Sequence, residues 1–418
     1  MRRVVITGFG VVSPIGSGAE AFFNALGRGV NGIRPISRFD ASGLDVRHAG
    51  EVSDAPALVY EKERAFAERD PKVGFALTAA AEAMAMAGVS AFSPSDLVHI
   101  GTSLETFFFK EFSAPLNAGG DTGEEAFYSR LVTHPWRLPL DTALACIRKR
   151  YGNPGQAATN CSACAVGAQT IGQAFHAVRD GRFSLALAGG FDSMINPLGV
   201  GGFQLLGAPA AGEPVAGASL CRPFDAGRTG LVLGEGAGFV VLEERERALA
   251  AGKTVYAEIA GYASTLDAHG LSAPDPDGDG AARSMLAALR DANLPVEAVD
   301  HINAHGTGTQ LNDPVEARAI RRVFANTWQR IPVTAVKSMM GHSIAAAGAI
   351  EAIACIFTLQ RGLIPPNIGL EKVGTDCELM HAGAHALPFP AACVLTNSFG
   401  FGGQNATLIL TGGDVCNA

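Results

Sequence analysis

Three things are scarce in this chain. No uninterrupted apolar run reaches the roughly 18 residues of a membrane-crossing helix, so no membrane span is expected. No run of lysine or arginine stands out and the formal net charge is −8, which excludes a nucleic-acid polyanion as a partner class. The eight cysteines, at 146, 161, 164, 221, 355, 377, 393 and 416, follow no disulfide rhythm and fit a reducing, cytoplasmic setting. The start, M-R-R-V-V-I-T-G-F-G, places two arginines before an apolar run as a signal peptide would. Gly8, Gly10 and Pro14 break that run too early, and a strand at 4–7 followed by a glycine turn at 8–16 is the simpler reading.

What is abundant is glycine, 51 of 418 residues, in a composition 48% hydrophobic and 17% charged. That combination suits a compact α/β enzyme of two domains or one double unit. Residues 70–88 are alanine-rich and helical in propensity, 98–102 and 185–190 read as buried strands, and 231–242 reads as two strands around a glycine turn. A charged segment at 243–252 resembles a hinge, after which a strand–helix rhythm begins again at Tyr256. The chain thus divides into halves at 1–250 and 251–418. They read as a diverged repeat, because 165–175 resembles 344–353 in character.

Four motifs carry chemistry. The first, N-C-S-A-C-A-V-G-A from Asn160, ends an extended segment and opens a helix with Cys164 in its first turn. Unpaired N–H groups and the positive end of the helix dipole there favour a thiolate. The second, H-I-N-A-H-G-T-G-T-Q-L-N-D-P-V-E from His301, sets His305 in a loop of two glycines and two threonines, with Asp313 as the expected N-cap of the next helix. The third, K-S-M-M-G-H-S from Lys337, sets His342 at another helix start, which favours neutral imidazole, a hydrogen-bond donor to an oxyanion. The fourth, N-S-F-G-F-G-G-Q-N from Asn397, offers three glycines whose N–H groups can be aimed at a substrate oxygen, with Phe399 and Phe401 over an apolar tunnel. Two histidines and a cysteine could ligate zinc, but the absence of close ligand pairs argues against a metal.

These motifs, in this order, resemble the condensing enzymes of fatty acid and polyketide synthesis, most closely the β-ketoacyl-[acyl-carrier-protein] synthases of the bacterial elongating type. The likeness runs from V-V-I-T-G-F-G through R-P-F-D-A-G-R-T-G-L-V-L-G-E-G-A-G at 222–238 to N-S-F-G-F-G-G. It implies a thiolase-like duplicated five-layer α/β/α/β/α sandwich, usually dimeric as a homodimer, with a heterodimer as the alternative. It further implies Cys164 as nucleophile rather than Cys161, and the N–H groups of Cys164 and Phe401 as oxyanion hole. His305 and His342 would hold the malonyl thioester, and Lys337 and Glu351 would organise the site. Thr307 and Thr309 would contact the phosphopantetheine arm of an acyl carrier protein, with Phe399 and Phe401 at the tunnel, and no metal or organic cofactor.

Three departures stand out. Val166 replaces the usual hydroxyl residue, and Phe107, Phe108 and Phe109 fall where relatives line the far end of the acyl pocket, implying a reshaped one. Arg64, Arg69 and Lys72 fall in the carrier-docking region but among more acid than usual, which implies a specialised carrier. Two other readings stand beside the synthase. A thiolase would join acyl groups without decarboxylation and use a second cysteine as base; a chain-length-determining subunit would lack the nucleophile.

Overall fold

The computed structural model describes residues 2–56, 58–104, 138–212 and 219–412. Strand β1 (Val4–Ser13) is buried at every position. It passes straight through Gly8 and Gly10, where the sequence predicted a turn. The reason lies some seventy residues further on, in helix α1 (Pro71–Met86), which crosses the strand. A Cβ at Gly8 would stand 2.3 Å from the Ala83 carbonyl oxygen, and one at Gly10 would stand 2.0 Å from that of Ala79. These glycines are there for close approach of a helix.

Four more strands complete the first half: β2 (Asp96–Gly101), β3 (Gln156–Asn160), β4 (Leu185–Ser193) and β5 (Glu235–Glu244). Only β5 arises from the stretch 231–242, where two strands were expected. Leu231 and Leu233 instead bridge to Pro209 and His342, tying this segment to the loop that carries the histidine. The second half holds β6 (Ala257–Leu266), β7 (His301–Asn303), β8 (Val333–Thr334), β9 (Cys393–Gly400) and β10 (Gln404–Thr411).

The strand order is β3-β2-β4-β5-β1 in one half and β3's counterpart onward, β8-β7-β9-β10-β6, in the other. Numbered within each half, both read 3-2-4-5-1, with the same parallel and antiparallel pairings. The fold is duplicated. β1 and β6 join the halves antiparallel over Val4–Ile259, Val5–Glu258 and Ile6–Ala257.

Two helices, α2 (Val166–Arg179) and, further along the chain, the long apolar helix Ala347–Arg361, pack on each other and on strands of both halves. Between them in sequence come α3 (Asp279–Asp291) and α4 (Asn312–Val323), so the long helix is α5. Helix α1 covers β1, β4 and β5 from outside, and α3 covers β6 and β10 with α4 against it. The layers therefore run helix, sheet, helix, sheet, helix, and α/β sandwich is the class. Residues 344–361 have the length and apolarity of a membrane span, but 83% of that stretch is buried here as the central layer.

The repeat has an internal register. A single 3-10 turn, Ala163–Ala165, precedes α2, and another, Ile344–Ala346, precedes α5. Each opens on a non-glycine residue in the left-handed region, Ala163 at φ 48° and Ile344 at φ 46°. Cys164 in the first half therefore corresponds to Ala345 in the second, and Gly167 to Gly348. The two glycines mark where α2 and α5 cross: a Cβ on Gly348 would stand 2.8 Å from the Ala168 nitrogen, and one on Gly167 would stand 2.7 Å from the Ala345 oxygen. Gly348→Val is expected to destabilise the fold by about 2–3 kcal/mol, read as a lowered denaturant midpoint, because the added side chain would meet Ser398 Oγ as well as the Ala168 backbone nitrogen.

Candidate active site

The turn Ala163–Ala165 presents Cys164, 2% exposed, to a cavity of about 220 Å³. The same cavity is lined by His305, His342, Thr307, Thr309, Phe399 and Phe401. Residues from Cys164 to Phe401, far apart in sequence, thus meet at one place. Cys161 does not join them. It is exposed, and its thiol donates to the Ser103 carbonyl at 2.7 Å.

The N–H groups of Cys164 itself and of Phe401 both point at the Cys164 sulfur. The second comes from the glycine turn after β9. Gly400 lies so close that a Cβ there would stand 3.1 Å from the Cys164 nitrogen, and Gly402 takes φ 79°. Only glycine meets both demands at low strain. The thiol is nevertheless not the lowered one that its helix position predicts. Burial pushes Cys164 up to about 12, and Lys337 and the Phe401 N–H recover only part of that. Desolvation of a buried thiolate outweighs the dipole. Alkylation of Cys164 in the free protein by iodoacetamide should therefore accelerate steadily from pH 7 to pH 9.5. A plateau near pH 7 would mean a preformed thiolate.

The two histidines face each other with ring centroids 5.2 Å apart. Burial first, and the Lys337 charge second, hold both well below the ordinary imidazole range, so both rings are neutral. Their tautomers follow from their partners. Lys337 Nζ lies 3.2 Å from His305 Nδ1 and donates to the His305 carbonyl at 2.6 Å. An ammonium can only donate, so Nδ1 accepts and the ring proton sits on Nε2. At His342, the Ile344 N–H donates to Nδ1 at 3.2 Å, which again leaves the proton on Nε2. His342 Nε2 is buried and has no partner among the described residues. Each neutral ring thus offers an N–H donor, and a buried donor without an acceptor is costly unless a ligand supplies one.

Behind the rings, Lys337 pairs with Glu351 on α5, both almost fully buried. Burial pushes Glu351 up to about 7 against the pull of the Lys337 ammonium. The loop of His305 is held by two acids whose roles the motif alone did not disclose. Glu316 accepts the N–H groups of His305 and Gly306, each at 2.8 Å, and Asn397 Nδ2 at 3.2 Å. Asp313 accepts those of Thr307 at 3.2 Å, Gly308 at 3.1 Å and Phe224 at 2.7 Å. Asp313 is therefore not an N-cap: α4 already begins at Asn312, and the carboxylate turns back to satisfy loop N–H groups. Thr307 and Thr309 share a hydroxyl–hydroxyl contact of 3.0 Å at the cavity wall.

A model of the β-ketoacyl synthase N-terminal domain matches residues 1–248, and one of the C-terminal domain matches residues 256–371. The chain belongs to the β-ketoacyl synthase family. The 3-oxoacyl-[acyl-carrier-protein] synthase 2 of Coxiella burnetii is 36% identical to it, over 98% of each chain. Among solved structures, the ishigamide ketosynthase/chain length factor is 35% identical with a TM-score of 0.87, covering 98% of this chain and 99% of the other. A type II polyketide acyl-carrier protein in complex with its ketosynthase, bound to the hexaketide, matches at 30% identity and a TM-score of 0.82 over 98% and 99%.

Set beside that family, Val166 is buried and packs on the end of β2: a Cβ on Gly101 would stand 2.7 Å from it. Lys72 is no docking side chain. It is 4% exposed, with Nζ on the Leu104 carbonyl and 3.5 Å from Asp70. Arg64 reaches back to the carbonyls of Leu58 and Val59. Phe107, Phe108 and Phe109 lie outside the described residues.

Proposed function

We propose that this chain is an acyltransferase that condenses an acyl group on Cys164 with a malonyl group carried by an acyl carrier protein. The observation that carries the proposal is the single cavity in which a buried cysteine under two N–H groups faces two neutral histidines with their ring protons on Nε2.

Cys164 sulfur attacks the incoming thioester carbonyl, whose oxygen takes the negative charge under the N–H groups of Cys164 and Phe401. The carbonyl re-forms, the carrier's pantetheine sulfur leaves, and it takes the proton that the Cys164 thiol gives up. With the ring protons on Nε2, neither histidine offers a lone pair to that thiol. A malonyl thioester then places its carbonyl oxygen between the two Nε2–H groups. Its carboxylate leaves as carbon dioxide, the electron pair of the broken C–C bond becomes an enolate, and the two N–H groups stabilise the enolate oxygen. The α-carbon attacks the acyl thioester. A C–C bond forms, the C–S bond to Cys164 breaks with its electron pair going to sulfur, and the Cys164 thiolate takes a proton from water. The Lys337–Glu351 pair keeps the His305 tautomer fixed, Thr307 and Thr309 face the pantetheine arm, and Phe399 and Phe401 flank the way to Cys164. The chemistry so drawn uses no metal or organic cofactor.

The test is stoichiometry. With acyl-carrier and malonyl-carrier supplied, one carbon dioxide should appear per β-ketoacyl-carrier formed. Acyl-CoA exchange without malonyl consumption would identify a thiolase instead. Similarity to a ketosynthase/chain length factor favours a second reading, in which this chain is the active half of a heterodimer. A homodimer is the first choice, supported by β3, an edge strand directly before the nucleophile turn. A cytoplasmic site of action fits Cys146, Cys161, Cys164, Cys221, Cys355 and Cys377, which form no disulfide among the described residues.

A further inference from the structure

In the first half of the molecule, the N–H at the middle of the strained turn, that of Cys164, faces the cysteine's own sulfur and the cavity. In the second half the corresponding N–H belongs to Ala345, and it is already occupied. Asp192, at the end of β4 in the first half, accepts it on Oδ2 at 3.1 Å while Oδ1 accepts the Ser193 N–H at 2.9 Å. Asp192 is fully buried and Ser103 supplies a further hydrogen bond. The carbonyl of Ala345 rests on the same strand, since a Cβ on Gly190 would stand 2.2 Å from it. β4 thereby holds the Ala345 N–H and lies close against its carbonyl.

The gripped turn matters because of its first residue. Ile344 is β-branched and held at φ 46°, a conformation such residues avoid unless the surroundings impose it. In that conformation its N–H points at His342 Nδ1. We infer that Asp192 is a positioning residue for His342, acting across the two halves: it locks the turn 344–346 so that the Ile344 N–H keeps the imidazole proton on Nε2. Released from Asp192, Ile344 relaxes, Nδ1 loses its donor, and the ring samples the other tautomer.

The kinetic part rests on the proposed condensation; the structural part does not. In Asp192→Ala, decarboxylation of malonyl-carrier should fall by about 10- to 100-fold, the scale of a displaced catalytic group, while acyl transfer to Cys164 changes less than about threefold. Asp192→Asn keeps one acceptor oxygen for Ala345 and should recover most of the loss. Asp192→Leu fills the same space without acceptors and should match the alanine variant, which covers a failure of that variant to fold. Nitrogen NMR of 15N-histidine protein, without substrate, reads the tautomer directly: His342 protonated on Nε2 in the parent chain, and mixed in Asp192→Ala or Asp192→Leu. An unchanged His342 signal in the folded variants overturns the inference, as does an equal fall in both chemical steps. A parent chain that shows the Nε2 tautomer but no decarboxylation counts against the proposed reaction, and the NMR comparison still decides the role of Asp192.

Discussion

Cys164→Ala is expected to abolish both acyl loading and condensation, a loss of at least about a thousandfold, whereas Cys161→Ala keeps most of the activity. The two cysteines are three residues apart in sequence and have opposite surroundings. Cys164 sits in the cavity under two converging N–H groups, and Cys161 is exposed with its thiol on the Ser103 carbonyl. The alanine variant should fold, because Cys164 is a small buried side chain within an apolar cluster. Rates of product formation and thermal unfolding, measured on the same preparations, check both halves of the prediction. Equal loss from both variants would remove the assignment of the nucleophile.

The second large effect separates the two chemical steps. His305→Ala and His342→Ala should each lower decarboxylation of malonyl-carrier by about 10²- to 10³-fold, the scale for loss of one oxyanion donor, and leave acyl transfer to Cys164 within about tenfold. The division follows from the tautomers. Each ring accepts at Nδ1 and donates from Nε2, so each can stabilise an enolate oxygen but cannot take the thiol proton at the cavity face. Single-turnover carbon dioxide release, compared with the rate of Cys164 acylation, measures the split. A normal carbon dioxide yield in both variants would contradict the role given to the pair.

The convergence of these residues on one cavity was legible in the motifs because each places a particular residue at a turn near a strand end or helix start. Cys164, His305, His342 and the Phe401 N–H accordingly converge where expected. What could not be read from the motifs depends on distant parts of the chain. β1 runs through Gly8 and Gly10 because the backbone of α1 lies on them, and nothing local distinguishes such glycines from a turn. The thiol of Cys164 is raised rather than lowered because burial, a property of the whole cavity, exceeds the local dipole. Asp313 and Glu316 stand within the quoted motif, eight and eleven positions after His305, but a chain read in order shows no sign that their carboxylates fold back onto the loop. A spaced pair of acids just after a glycine loop, opening an amphipathic helix, is the signal that would have found them. The duplication was visible only as a likeness of two alanine–glycine helices. Its register emerged from the two strained turns and the shared 3-2-4-5-1 strand order.

Intact-protein mass spectrometry gives the most direct test of Cys164 as the point of covalent attachment. The purified chain is mixed with acyl-carriers of graded length and then with malonyl-carrier. The expected result is one acyl mass added per chain, mapped to Cys164, that disappears on adding malonyl-carrier as a product two carbons longer is released. No adduct with any chain length, or an adduct that forms equally on the Cys164→Ala variant, would contradict it.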